Sequence, residues 1–214
     1  EVLHLKDYYP FLGENGCDPT VEVYLPYNMT EMNRQNDKRP CMIVCPGGGY
    51  GFISQREAEP IALQFLPQGY NVFTITYSIA PHRFPTQLCE VAALMELIYK
   101  NADEWNCDTE KIAIIGFSAG GHLASSVSTH AEAAVRPDFS IFFYPVISMD
   151  ERISHKGSCV NFLGEERNTD KKLVEEWSND KAVRPNLTPR AIILMSFDDK
   201  VVPPVTNGVA YYSA

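Results

Sequence analysis

The segment Gly116-Phe117-Ser118-Ala119-Gly120 has the pattern G-x-S-x-G, in which a serine stands between two glycines. An apolar run, KIAIIGF, leads into this serine, and a helical pattern follows it. A serine on a tight strand-to-helix turn adopts strained backbone angles, and its neighbours two positions away must lack side chains. This arrangement predicts that Ser118 is a nucleophile that attacks a carbonyl carbon.

Three consecutive glycines, Gly47, Gly48 and Gly49, follow another apolar run, CMIVCP (41–46). Glycines allow backbone N–H groups to approach a substrate oxygen closely. Together with the N–H of Ala119, the residue after the nucleophile, the N–H groups of Gly48 and Gly49 are predicted to form an oxyanion hole. A flexible turn is the alternative interpretation of the three glycines taken alone.

Two adjacent acids, Asp198 and Asp199, begin the loop that follows the apolar run RAIILMSF (190–197). In a serine hydrolase of this kind, the acid that orients the catalytic base follows the nucleophile and lies after a late strand. Both aspartates are therefore candidates for that acid. An ordinary surface turn would also begin with such a pair.

Six β-rich runs supply the strands that must position these residues. The last five are almost entirely apolar, as is typical of parallel strands buried on both faces, whereas the first alternates and predicts an antiparallel strand near an edge. The runs span residues 21–27, 41–46, 70–78, 111–117, 139–148 and 190–197.

Helical patterns separate the strands at residues 57–68, at 86–105 and after Ser118. The second pattern places apolar residues at spacings of three and four, as an amphipathic helix requires. Alternating strands and helices predict an α/β fold, with a mostly parallel central sheet and helices on both faces. Residues 1–214 are expected to form a single domain of this class, since one domain commonly reaches roughly 200–250 residues.

The segment from residue 149 to residue 188 departs from this alternation because it is polar, rich in charge and without a strand pattern. It should lie above the carboxyl edge of the sheet, where ligands bind in open α/β folds. It is interpreted either as a solvated pair of surface helices or as a small cap that shapes a substrate pocket, and the two are compatible.

Composition and sequence patterns argue against several classes of binding partner. The net charge of −9 argues against binding to nucleic acid or to an anionic membrane surface. No apolar run reaches the ~20 residues of a membrane span, and EVLHLKDYYP shows no signal peptide, so a cytoplasmic location is predicted. The six cysteines are expected to be free thiols, and their spacing indicates no metal site.

Four segments in this order resemble the esterase/lipase branch of the α/β-hydrolases: PGGGYGF, YSIAPHRFPTQLCEVAALMELI, GFSAGGHLA and SFDDKVVP. They are most similar to the group known as acetyl-xylan-esterase-like, since Pro46 stands where the hormone-sensitive-lipase branch has histidine. The resemblance covers the chain from about residue 20 onward. It implies the α/β-hydrolase fold, and it favours Asp199 over Asp198 as the triad acid.

The histidine of the triad is not found in residues 1–214. The order Ser-Asp-His places it after Asp199, and all five histidines precede that residue. A histidine and a final strand are therefore expected beyond residue 214, and the 214-residue chain alone is expected to be inactive and poorly soluble. His122 and His155 are weak alternatives for the base because they stand in the wrong order.

These features predict a serine ester hydrolase that acts through an acyl-enzyme on small-molecule esters. The resemblance implies short acyl groups, acetyl above all, on carbohydrates or other alcohols, with no cofactor or metal. Three alternatives are compatible with the same motifs: an aryl formamide hydrolase, a peptidase, and a non-catalytic binding protein on a hydrolase scaffold. A homo-oligomer is compatible with these features.

Overall fold

Residues 1–214, described in full by a computed structural model, form one seven-stranded sheet with helices on both faces. The six predicted strands are present, and Val2–His4 adds a short strand that the sequence patterns did not predict. The strands are β1 (Val2–His4), β2 (Thr20–Tyr24), β3 (Arg39–Cys45), β4 (Asn71–Thr76), β5 (Cys107–Phe117), β6 (Phe139–Phe143) and β7 (Arg190–Leu194).

The strand order is β1-β2-β4-β3-β5-β6-β7. β1 pairs with β2, and β2 with β4, in antiparallel fashion, while β3 to β7 are parallel to one another. β3 lies between β4 and β5, so the chain leaves β3 and β5 in opposite directions along the sheet. Such a reversal opens a crevice at the carboxyl ends of the strands, where a ligand site is expected.

Seven α-helices accompany the sheet, and several short 3₁₀ turns join them to the strands. The long predicted helix over 86–105 ends earlier, at Lys100. The helices are α1 (Leu5–Tyr8), α2 (Glu59–Phe65), α3 (Thr86–Lys100), α4 (Ala119–His130), α5 (Lys156–Leu163), α6 (Lys171–Glu176) and α7 (Ala210–Ser213). The polar segment 149–188 contains α5 and α6 and no strand.

Two apolar clusters fill the two sides of the sheet. The larger one packs α3 and α4 onto one face, with Leu94 and Leu123 among its fully buried side chains. The smaller one packs α2 onto the other face, where Ala62 lies with Met42 and Val44 of β3. Helices therefore cover both faces of the central strands, as the apolar strand patterns predict.

The prediction that the last five strands are buried on both faces is wrong for β7. Ile192 is 50% exposed and Leu194 is 41% exposed. Both share a sheet face with Ile141 and Phe143 of β6, as the strand register shows. On this side α2 packs beside β3 and β4 and does not extend over β6 and β7.

All six cysteines are free thiols, five of them buried and Cys89 exposed. No helix in the structure has the length and apolar character needed to cross a lipid bilayer. No group of three or more histidine, cysteine, aspartate or glutamate side chains is arranged to hold a metal ion.

Candidate active site

Ser118 occupies the turn between β5 and α4, with backbone angles φ 52° and ψ −116°. The two glycines beside it are required by close packing. A Cβ on Gly120 would lie 2.1 Å from the carbonyl oxygen of Cys45, and a Cβ on Gly116 would lie 2.2 Å from the carbonyl oxygen of Gly120. Since real Cβ contacts are not shorter than about 3 Å, only glycine fits at either position.

Backbone donors face the same region without partners in the chain. The N–H groups of Gly48, Gly49 and Ala119 make no intramolecular hydrogen bond. Ala119 is the first residue of α4, and the first N–H groups of a helix have no acceptor within it. The positive end of the α4 dipole therefore lies beside Ser118.

The carbonyl groups of the glycine loop, in contrast, are all bonded. The oxygen of Gly47 accepts from the Ser54 N–H at 3.0 Å, and the oxygen of Gly48 accepts from the Gly51 N–H at 3.0 Å. The oxygen of Gly49 accepts from Asn161 Nδ2 of α5 at 2.9 Å. Because the carbonyls are held in these bonds, donors rather than acceptors remain available at the loop.

Gly48 has the most restricted conformation in this loop. Its φ is +128°, and a Cβ there would lie 1.9 Å from the carbonyl oxygen of Phe52. Either feature alone would exclude another residue. The three glycines thus form a tight turn in which Gly48 cannot be replaced by a residue with a side chain.

Asp199 follows β7, and its Oδ1 accepts hydrogen bonds from the N–H groups of Val201 at 2.8 Å and Val202 at 3.0 Å. Its Oδ2 makes no hydrogen bond in the chain. Asp198 is exposed, and its carboxylate accepts a hydrogen bond from the Ser196 hydroxyl instead. Asp199, and not Asp198, lines the cavity that contains Ser118.

That cavity has a volume of about 420 Å³ and brings Ser118, Gly48, Gly49 and Asp199 together. Ala119, the residue after Ser118, is fully buried. Four of the five site residues predicted from the sequence therefore line one cavity, and the fifth, Ala119, directly follows Ser118 in the chain. Their catalytic roles remain predictions.

Among the other residues that line this cavity are Glu57 and Tyr144, which the sequence did not single out, and His155, the weak alternative for the base. Glu57 begins a predicted helix that contains a second acid, Glu59, and the pattern does not distinguish the two. Tyr144 lies in an apolar run and was predicted only as part of a strand. His155 precedes α5, and its Nδ1 lies 2.8 Å from the Ser158 hydroxyl. Nothing in the spacing of Glu57 and Tyr144 marks them as site residues, because strands and loops distant in sequence bring them together.

The other four histidines lie elsewhere. His122 is fully buried in α4, where its Nδ1 lies 2.8 Å from the Tyr50 hydroxyl and its Nε2 lies 2.8 Å from the Trp177 carbonyl oxygen. The carbonyl can only accept, so Nε2 carries the proton and Nδ1 accepts from Tyr50. Burial lowers the pKa of His122 to about 4, which keeps it neutral. Both nitrogens are occupied, so His122 is a packing residue and not a base.

A larger cavity, of about 570 Å³, lies between the 149–188 segment and the 205–210 segment. Its lining is mostly polar and charged, including Asp150, Arg152 and Lys181, and it contains none of the predicted site residues. Size alone therefore does not identify the site. The smaller cavity combines a strained serine with free donors and a carboxylate, and it is the candidate active site.

Comparison with known proteins identifies a family and several similar enzymes. The profile of the BD-FAE family matches residues 22–210. An acetylxylan esterase of Xylanibacter ruminicola is 45% identical over 84% of this chain, and endo-1,4-β-xylanase B of Butyrivibrio fibrisolvens is 33% identical over 89% of it. The chain spans only 38% and 32% of the lengths of these two curated relatives.

A solved structure is similar over the whole chain. The acetyl ester-xyloside bifunctional hydrolase of Caldicellulosiruptor lactoaceticus superposes with a TM-score of 0.87 and 30% sequence identity. The match covers 100% of this chain and 80% of that protein.

Proposed function

The chain belongs to the BD-FAE family and has the α/β-hydrolase fold predicted from its sequence, and on this basis we propose that it carries the nucleophile of a serine carboxylic ester hydrolase. The observation that carries the proposal is the 420 Å³ cavity. It combines a serine on a strained turn with unpaired N–H groups and a carboxylate. Acyl transfer needs a nucleophile, an oxyanion site and a group that orients the base.

In the proposed reaction, Ser118 Oγ attacks the ester carbonyl carbon and loses its proton to the base. The carbonyl oxygen becomes an oxyanion, which accepts hydrogen bonds from the N–H groups of Gly48, Gly49 and Ala119. Collapse of this intermediate breaks the bond to the alcohol, which leaves with the proton from the base. Water then attacks the acyl-enzyme in the same way and releases the acid.

We assign the orienting role to Asp199. Its Oδ1 is held by two backbone N–H groups, and its Oδ2 is free to accept a hydrogen bond from an imidazole. The base itself is proposed to be a histidine later in the sequence than Asp199, in keeping with the order Ser-Asp-His. His155 is the alternative within residues 1–214, since it is the one histidine that lines the cavity.

For the substrate, we propose acetyl esters of carbohydrate. The acetylxylan esterase and the acetyl ester-xyloside hydrolase support this choice by their names and by their likeness to the chain. A cavity of about 420 Å³ lies toward the small end of ligand pockets, which agrees with a short acyl group. Phe52, 61% exposed at this cavity, offers an apolar face to a sugar ring.

The test uses the complete gene product, with p-nitrophenyl acetate, butyrate and decanoate and with acetylated xylo-oligosaccharides. We expect the highest kcat/KM for acetate and stoichiometric release of acetic acid from the oligosaccharides. A preference for decanoate would replace the proposal with a lipase. Release of reducing ends without acetic acid would replace it with a glycosidase, and faster cleavage of an aryl formamide would replace it with a formamide hydrolase.

The base assignment has its own test. We expect His155→Gln to retain kcat within about tenfold, whereas loss of the true base lowers kcat by a factor on the order of 10⁴–10⁶. A loss of that size in the His155 variant would make His155 the base.

A further inference from the structure

Glu57 is an unexpected residue to find at this cavity. Its side chain is 9% exposed, and its carboxylate lies against the loop formed by Gly47–Tyr50, here called the oxyanion loop. The nearest cation is Arg56 Nε at 3.9 Å, on a side chain that is itself largely exposed to water. A buried carboxylate with so little charge compensation is retained only where it makes good hydrogen bonds.

The carboxylate does make such bonds, one with each oxygen. Oε2 accepts from the Gly47 N–H at 2.9 Å, and Oε1 accepts from the Tyr144 hydroxyl at 2.9 Å. The first bond joins Glu57 to the start of the oxyanion loop. The second joins it to the residue that directly follows β6.

Two backbone hydrogen bonds also link Gly47 to Glu57 through Ser54. The Ser54 N–H donates to the Gly47 oxygen, and the Glu57 N–H donates to the Ser54 oxygen, each at 3.0 Å. The bond from the Gly47 N–H to Glu57 Oε2 is therefore a third hydrogen bond that holds the segment from Gly47 to Glu57 together. Without it the Gly47 N–H would be a buried donor with no acceptor.

Glu57 also lies close to the serine. An ideal Cβ at Gly47 would be 2.7 Å from Glu57 Oε2 and 3.2 Å from the Cβ of Ser118. The carboxylate and the nucleophile thus flank the same α-carbon. A negative charge at this place opposes the negative charge that develops on the substrate oxygen, so its electrostatic effect alone would slow the reaction.

Tyr144 supports the same interpretation. Its φ is 36°, an uncommon value for a bulky residue, and its N–H donates to the Leu194 oxygen at the end of β7. Burial and the hydrogen bond to Glu57 raise its pKa to about 12, so it remains a neutral donor. Through Tyr144, Glu57 thereby connects the oxyanion loop to the carboxyl ends of β6 and β7.

We propose that Glu57 is a positioning residue, which holds the Gly47 amide and so fixes the oxyanion loop in the orientation that leaves the Gly48 and Gly49 N–H groups free for the substrate oxygen. This inference rests on the proposed function, because it assigns a task within the same reaction. It explains why a carboxylate lies beside a site that stabilises an anion. The hydrogen bond, and not the charge, is the property that matters.

The first test measures the hydrogen bond directly. Pro46–Gly47 is the one Pro-Gly pair in this chain, so labelling with ¹³C-carbonyl proline and ¹⁵N-glycine selects the Gly47 amide within it. In Glu57→Gln, whose amide oxygen still accepts, exchange of this amide with solvent should stay within about fivefold of wild type. In Glu57→Ala, and in the bulkier Glu57→Met, it should accelerate at least about tenfold.

The second test measures kcat and KM for an acetyl ester with the complete gene product. We expect Ala and Met at position 57 to lower kcat by about 10- to 100-fold with KM within about threefold, and Gln to recover kcat to within about fivefold. Tyr144→Phe should leave the Gly47 amide protected. The exposed Glu59→Ala, on the same segment, is the matched control and should behave as wild type.

Several results would overturn the proposal. A Gln variant as slow as the Ala variant would assign the effect to charge. A raised KM with unchanged kcat would make Glu57 a substrate-binding residue, and an unchanged amide exchange rate in both Ala and Met would remove the structural basis. If the wild-type protein cleaves no ester, the proposed function fails, while the exchange measurement still decides whether Glu57 holds Gly47.

Discussion

At the scale of single residues, three of the seven non-glycine residues with positive φ lie at or next to the cavity, and the other four are asparagines, which tolerate such angles. Tyr50, Ser118 and Tyr144 have φ values of 56°, 52° and 36°, in a region that non-glycine residues seldom adopt. Each such residue costs on the order of 1–3 kcal/mol and persists only where its surroundings hold it. Here the holding contacts are hydrogen bonds from the Tyr50 hydroxyl to His122, from the Ser118 N–H to the Phe143 oxygen and from the Tyr144 hydroxyl to Glu57.

The first prediction at this scale concerns Gly120. Gly120→Ala should destabilise the fold by more than about 3 kcal/mol, or prevent folding, because the new Cβ would meet the backbone of Cys45 and Pro46. Gly16→Ala is the control. Gly16 has φ +79° but nothing within 4 Å of an added Cβ, so about 1 kcal/mol is expected. Urea unfolding measures both, and equal destabilisation by the two variants would contradict the packing argument.

At the scale of secondary-structure elements, α3 fixes the loop that follows β4. Glu90 of α3 accepts hydrogen bonds from the N–H and the hydroxyl of Ser78, and Gln87 Nε2 donates to the Ser78 oxygen at 2.9 Å. Two residues later, the Ala80 N–H donates to the Tyr50 oxygen at 2.8 Å. The β4–α3 connection therefore holds the oxyanion loop in place through the hydrogen bond from Ala80 to Tyr50.

The pH dependence of stability tests this support. Burial raises the pKa of Glu90 to about 7, and the Ser78 hydrogen bonds offset part of that shift. The usual pKa of glutamate is about 4.3. Between these two values the unfolded chain has released the proton and the folded chain has not. The contribution of Glu90 to stability is therefore complete below about pH 4.3 and is lost as pH rises to about 7, by roughly 3 kcal/mol.

We expect Glu90→Gln to remove this slope. Relative to wild type, the variant should gain roughly 3 kcal/mol of stability at pH 8 compared with pH 4, as measured by urea unfolding. Glu96→Gln, on the exposed side of the same helix, should change by no more than about 0.5 kcal/mol. Parallel pH profiles for wild type and Glu90→Gln would show that Glu90 is not held in its neutral form.

The elements also show what sequence patterns reveal and what they miss. Strand and helix periods and the two glycine motifs predicted the sheet, the elbow at Ser118 and the loop at Gly48, because each is determined by neighbours in sequence. The choice of Asp199 over Asp198 needed a resemblance, since adjacent acids look alike. Glu57 could not be predicted as a site residue because it contacts Gly47 and Tyr144, the second of which lies 87 positions away.

At the scale of the whole molecule, β7 combines an edge position with an apolar outer face. Ile192 and Leu194 are exposed there, and the edge strand has unpaired backbone groups on one side. Both features favour pairing between chains. A preparation of residues 1–214 is therefore expected to associate with increasing concentration.

The double variant Ile192→Lys, Leu194→Lys should reduce this association in size-exclusion chromatography with light scattering. Tyr212→Lys is the matched control, since Tyr212 is 82% exposed and lies on α7, away from this face. A monodisperse wild-type chain would contradict the prediction. So would an equal reduction by the control, because β7 would then not be the contacting surface.

The central claim is that Ser118 is the nucleophile, and covalent labelling tests it most directly. The complete gene product is treated with a fluorophosphonate, digested and mapped by mass spectrometry. We predict one phosphonyl adduct, on the peptide that carries Ser118, with loss of acetyl esterase activity in proportion to labelling. In Ser118→Ala both the adduct and the activity should disappear, the latter by a factor on the order of 10⁴ or more. An adduct on a different serine, or undiminished activity in Ser118→Ala, would contradict the account.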